Sequence, residues 1–220
     1  GTRDGLYCFN GQQFRRYTKA EGLAHDRVTA ISQDQNGRLW IGTNGGISLY
    51  EKGRFSSIEC EDWVQSICHD REGNTWVGTF SNLGRYDEQD LLSFSCQDGL
   101  PEEIVWRVAL DDQGVLWFAT YSGACRYDGQ HFTTFTTADG LPNNRVFQIL
   151  RGQKGHLWFA TIGGGFCRYD GSSFTCFREE DGLVDAVYKL YEDQEGTLWL
   201  GVVDNLGTNG TLCRFDGSSF

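Results

Sequence analysis

One phrase recurs five times in this chain: RLWIGT, NTWVGT, VLWFAT, HLWFAT and TLWLGV, set on Trp40, Trp76, Trp117, Trp158 and Trp199. The spacings between those tryptophans are 36, 41, 41 and 41 residues. A unit of that length cannot bury a hydrophobic face alone and must stack on copies of itself, which rules out most architectures at once. Aligning the copies on tryptophan recovers a full unit. GL precedes a V-x-x-[IVL] run, then come D-x-x-G, LW-x-[GA]-T, a glycine-rich turn and RYDG-x-x-F.

Four short strand-like runs in about 40 residues are the signature of an all-β propeller, each unit a four-stranded blade. With 29 glycines, two prolines and 14% aromatics, the composition suits short strands joined by tight turns. The innermost strand of each blade is read at Val28–Ile31, Val64–Ile67, Val105–Val108, Val146–Ile149 and Val187–Leu190. Apolar residues three apart are tolerable there, because both faces of a blade pack against neighbours. DQNG, DREG, DDQG, GQKG and DQEG close the first hairpin, with Asp opening the turn and Gly taking the left-handed position. The expected blades are residues 22–58, 59–98, 99–139 and 140–181, with a partial blade over 1–21 and an incomplete one over 182–220.

DGLPNNRV (Asp139 to Val146), GHLWFAT (Gly155 to Thr161) and CRYDG (Cys167 to Gly171) carry a resemblance to the two-component regulator propeller repeat. That family implies the sensory part of a hybrid histidine kinase, periplasmic or extracellular, often reading oligosaccharides. A weaker similarity runs to the streptogramin lyases, propellers that are enzymes. The second repeat departs from the pattern, with ECEDWVQ (Glu59 to Gln65) in place of the GLP turn.

The formal charge of −11 and a pI near 4.7 argue against nucleic acid and anionic lipid surfaces as partners. No run approaches the ~20 apolar residues of a membrane-spanning helix. The chain contains no methionine, as expected of a piece of something longer. It shows five first and five second strands but six third strands, counting GLYCFN (Gly5 to Asn10). The expectation is therefore an arc of a six- or seven-bladed propeller, partnered by missing blades, other domains or a second copy on its open faces. The alternative is a self-closed five-bladed ring, which requires QFRRYT to lie beside Thr211–Phe215.

The repeats also act as an internal control. Columns shared by every blade serve folding; columns that differ are free to serve a ligand. One variable column reads Thr29, Gln65, Trp106, Phe147, Tyr188 and the next Ala30, Ser66, Arg107, Gln148, Lys189. Just before them stand Arg27, Trp63, Ile104, Arg145 and Ala186. These positions lie at the mouth of the central channel, and aromatic faces mixed with cations are what an anionic saccharide requires. The candidate site is Arg27, Trp63, Trp106, Arg107, Arg145, Phe147, Tyr188 and Lys189, with inter-blade packing as the alternative role for the aromatics.

The carboxylates one column earlier (Asp26, Asp62, Glu103, Asp185, with Asn144 in the fourth repeat) read as turn caps and not as a metal ring. The loop Val202–Thr211 carries an insertion that suits a ligand flap or plain drift, and it includes the acceptor-like Asn209-Gly210-Thr211. His25, His69, His131 and His156 fall on different loops, so no catalytic relay, metal or cofactor is expected. Cys125, Cys167 and Cys213 share one column and read as buried thiols. Only Cys167 and Cys176 sit opposite each other on one hairpin, if its turn is DGSS. The function expected is non-catalytic ligand sensing; a protein-binding scaffold and a lyase-like enzyme are the alternatives.

Overall fold

The computed structural model describes residues 1–58, 62–87, 91–183, 186–203, 210–217 and 219. Asp185 and most of the Val202–Thr211 insertion, Asn209 included, lie outside the described residues. The chain forms two compact units, one of residues 1–95 with 103–105, the other of 96–102 with 106–220.

The first unit opens with β1 (Leu6–Phe9) and β2 (Phe14–Tyr17), an antiparallel pair. Two four-stranded meanders follow. One is β3 (Val28–Gln33), β4 (Leu39–Thr43), β5 (Gly46–Glu51) and β6 (Arg54–Ile58). The other is β7 (Val64–His69), β8 (Thr75–Thr79), β9 (Leu83–Tyr86) and β10 (Leu91–Phe94). The second unit holds β11 (Arg107–Leu110), β12 (Leu116–Thr120), β13 (Gly123–Tyr127) and β14 (Phe132–Phe135), then β15 (Val146–Arg151), β16 (Leu157–Thr161), β17 (Gly165–Tyr169) and β18 (Phe174–Phe177). Its last sheet is β19 (Ala186–Glu192), β20 (Leu198–Val203) and β21 (Gly210–Phe215). These sheets are propeller blades, and the fold is all-β. QFRRYT forms β2 against β1, with Leu6 opposite Tyr17.

The spacing of three along each innermost strand has a different cause from the one expected. Four of these strands carry a β-bulge. Val28 pairs with Thr43 but Ala30 with Gly42, and the same slip occurs at Val64/Ser66, Val146/Gln148 and Val187/Lys189. In the third repeat, Trp106 N–H bonds to the carbonyl of Ala119 while Arg107 is the ladder partner of Ala119. The extra residue returns i and i+3 to one face, where an unbulged strand would return i and i+2. Val64, Val105, Val146 and Val187 are accordingly buried together with Ile67, Val108, Ile149 and Leu190. Ile31 departs from its siblings and is exposed.

Tryptophan and aspartate lock the first hairpin of the repeat. Trp40, Trp76, Trp117 and Trp158 are buried, and Trp199 is half-buried in the last repeat. Each of Asp34, Asp70, Asp111 and Asp193 accepts a hydrogen bond from the indole Nε1–H six residues later, at 2.9, 2.8, 3.2 and 2.8 Å. The same carboxylates accept backbone N–H groups two and four residues on. One side chain thus closes the turn and seats the core residue. The turn glycines are left-handed, as in Gly37 (φ 81°) and Gly114 (φ 86°). Trp40, Trp117 and Trp158 pack onto the following repeat, Trp40 against Tyr86, Trp117 against Phe159 and Tyr169, and Trp158 against Phe215.

This lock makes stability pH-dependent. Burial raises the Asp34 pKa, but bonds from Trp40 and Arg38 outweigh it and bring it from an ordinary 3.8 to about 2. The native state therefore holds its proton less tightly than the unfolded chain. The stabilisation is complete above pH ~4 and is lost as pH falls towards ~2. Urea denaturation at stepped pH is expected to show this loss, and Asp34→Asn to flatten that limb relative to the parent. An equal slope in both proteins would refute the assignment.

Candidate functional site

The bulge explains why the variable column escapes the core. Thr29, Gln65, Phe147 and Tyr188 are the bulged residues themselves, with Trp106 in the same column just before β11, and a bulge re-aims the side chain it carries. In Thr29 the re-aimed hydroxyl bonds to the carbonyls of Gly42 and Val64, at 3.0 and 2.5 Å. In the second unit the same position carries rings.

Those rings touch in series. Trp106 lies 5.2 Å from Phe147, and Phe147 lies 5.3 Å edge-on from Tyr188, centroid to centroid. All three are half-buried, so they share a surface between repeats and keep part of each ring open. Tyr121 extends the series, stacking on Trp106 at 4.8 Å with 27° between planes. The Arg145 guanidinium stands 4.8 Å from the Tyr121 ring and Lys189 Nζ 5.5 Å from Phe147, both cation–π distances. Desolvation lowers the Lys189 pKa although the residue still meets solvent, and the charge of Arg107 lowers it further. Burial raises the Tyr121 phenol, while Arg145 opposes that shift. Five of the predicted residues, with Arg107 acting on Lys189 through its charge, thus form one aromatic and cationic ladder drawn from three consecutive repeats.

Tyr121 was missed, yet the internal control was able to find it. Four residues after each tryptophan the repeats read Asn44, Phe80, Tyr121, Ile162 and Val203, a column as variable as the ones chosen. In the first unit Phe80 meets Trp63, edge-on at 5.4 Å, and Trp63 is 48% exposed. Arg27 is exposed, its N–H donating to His25 Nδ1 at 2.9 Å.

Gln148 leaves the candidate surface, while the turn-cap reading holds for Asp26, Asp62 and Asn144. Gln148 is buried, and its amide exchanges two 3.0 Å hydrogen bonds with the backbone of Leu190, so it ties neighbouring blades together. Asp26 and Asn144 accept the N–H of Lys19 and Thr137, and Asp62 those of Trp63 and Ser81, which is turn capping. A cleft of about 470 Å³ in the second unit lies on other residues, among them Pro142, Gly163 to Gly165, Arg178 and Leu183.

Comparison with known proteins agrees with this architecture. The model of the two-component regulator propeller family matches residues 22–45, 59–81, 99–122 and 140–163. No curated protein matches the sequence. Among solved structures, the extracellular domain of a hybrid two-component system from B. thetaiotaomicron is 21% identical with a TM-score of 0.76, over 92% of this chain and 30% of that one. A virginiamycin B lyase from Staphylococcus aureus, in a catalytically inactive form with quinupristin, is 17% identical with a TM-score of 0.77, over 99% of this chain and 76% of that one. At such identities the likeness speaks to the fold alone, and the chain spans under a third of that extracellular domain. The four matched segments fall at the same place in four successive repeats, and over those segments this chain carries two-component regulator propeller repeats.

Proposed function

We propose that the chain is the ligand-sensing part of a signalling protein, acting outside the cytoplasm, and that it takes an anionic oligosaccharide on the ladder of Trp106, Tyr121, Phe147 and Tyr188. The carrying observation is the continuity of that ladder across three repeats, with cations seated on its rings. Open ring faces stack on sugar rings, while Arg107, Arg145 and Lys189 supply charge-assisted donors for sulfate or carboxylate groups. A net charge of −11 over the whole chain makes a local cluster of cations a focus for an anion.

The test is calorimetric titration with sulfated, uronate-containing and neutral oligosaccharides. Arg107→Ala and Lys189→Ala are each expected to weaken an anionic ligand by about 1–3 kcal/mol and to leave neutral ones nearly unchanged. Equal affinity in variants and parent would overturn the reading. A second reading, a scaffold that binds protein, is favoured by one observation: Tyr7, Phe9 and Phe14 form an exposed aromatic cluster on the β1–β2 pair, with Phe9 and Phe14 4.7 Å apart.

A further inference from the structure

Three repeats place a cysteine in the same column of the third strand, but they differ in what faces it. Cys125 is opposite Thr134, whereas Cys167 is opposite Cys176. The turn that joins β17 and β18 fixes the kind of rung. The Asp170 N–H donates to the carbonyl of Ser173, and counting back from that bonded rung makes Cys167/Cys176 a non-hydrogen-bonded one. Such rungs hold their Cα atoms about 4.5 Å apart, inside the span of roughly 4.4–6.8 Å that a disulfide bridges.

The geometry points to Cys167 and Cys176 as a redox pair that closes to a cross-strand disulfide, with Cys176 as the attacking thiol and Cys167 as the resolving one. Exposure sets this order: Cys167 is fully buried, and Cys176 is half-buried at the outer strand of the blade. The acidities agree with it. A hydrogen bond from the Cys167 thiol pulls Cys176 down to about 7, against burial and with help from Arg178. Burial first, then the bond to Cys176, pushes Cys167 well up. As a thiol, Cys176 donates to the carbonyl of Gly140 at 3.0 Å; as a thiolate, it accepts from Cys167.

The oxidant required is a small-molecule disulfide. The Cys176 thiolate attacks one of its sulfurs, breaking the S–S bond and expelling one thiolate. That thiolate takes the proton of Cys167, whose sulfur then attacks Cys176 and expels the second thiolate. Two protein thiols and one disulfide become one protein disulfide and two small thiols.

The experiment treats the reduced protein with oxidised glutathione and maps unreduced peptides by mass spectrometry. The expected product lacks two hydrogens and carries one crosslink, between the Cys167 and Cys176 peptides. Cys167→Ser is expected to trap glutathione on Cys176, and Cys176→Ser to leave Cys167 unmodified. Thr134→Cys is expected to create a second crosslink with Cys125, confirming that the column is competent once a partner is supplied. Stable glutathione on Cys176 of the parent, with no crosslink, would overturn the proposal, as would a Cys167–Cys176 pair that stays reduced while the exposed Cys8 and Cys96 react. These readouts concern covalent state, so they stand or fall separately from saccharide binding.

Discussion

Replacing Trp117 with alanine is expected to lower the free energy of unfolding by about 3–5 kcal/mol. The indole is 1% exposed and stacks on Phe135 at 5.2 Å while meeting Phe159 at 5.5 Å and Tyr169 at 5.4 Å. Its removal opens a cavity between two repeats whose rings cannot all move inward, since each also packs elsewhere. A subtler pair of variants separates packing from hydrogen bonding. Trp117→Phe keeps a ring but strands the Asp111 oxygen that the indole satisfied, an added cost of about 1–2 kcal/mol. Trp158→Phe lacks that added cost, because Trp158 Nε1 has no hydrogen-bond partner among the described residues. Urea denaturation at constant m resolves the difference. A Trp117→Ala cost below ~1 kcal/mol would refute the packing role of the column.

The contrast between repeats also shows what a sequence of this kind makes legible. Blade, strand order and hairpin turns can be read because they depend on local patterns: a period near 40, Asp and Gly at fixed offsets, tryptophan at one place. The bulge is not written in that way. Whether Val28 and Ile31 share a face through two-sided packing or through an extra residue depends on how β3 pairs with β4, a property of two strands at once. For the same reason Gln148 reads as a free donor beside Arg107 and Lys189. Only its amide bonds to Leu190, in the innermost strand of the next blade, reveal it as a link between blades. The ladder itself was half visible. Trp106, Phe147 and Tyr188 lie in one column, but Tyr121 joins them from the turn between β12 and β13, and that contact exists only after folding.

Asp70→Ala is expected to cost about 3 kcal/mol, since it strands donors that a buried carboxylate holds. The backbone N–H of Glu72 and Asn74, the Asn74 amide and Trp76 Nε1 all donate to it, at 3.0, 2.8, 2.8 and 2.8 Å. The fourth repeat has already made this substitution: Gly152 stands where the others carry Asp. Its indole Nε1 has no hydrogen-bond partner among the described residues, and the His156 ring, perpendicular to the indole at 5.0 Å, packs beside it. A Cβ at position 152 would overlap that imidazole and come within 3.0 Å of Glu192 Oε2. Gly152→Asp alone is therefore expected to destabilise by about 1–3 kcal/mol, as overpacking does. Adding His156→Thr, after Thr197 in the same column, vacates the ring and is expected to recover at least ~1 kcal/mol by restoring the bond to Trp158. Glu192 is the end of a flexible side chain and can turn to solvent, though its charge limits the gain. Urea denaturation of the three variants decides the matter. If Asp70→Ala is nearly neutral, or Gly152→Asp is tolerated with His156 in place, the aspartate–tryptophan lock does not hold the blade as described.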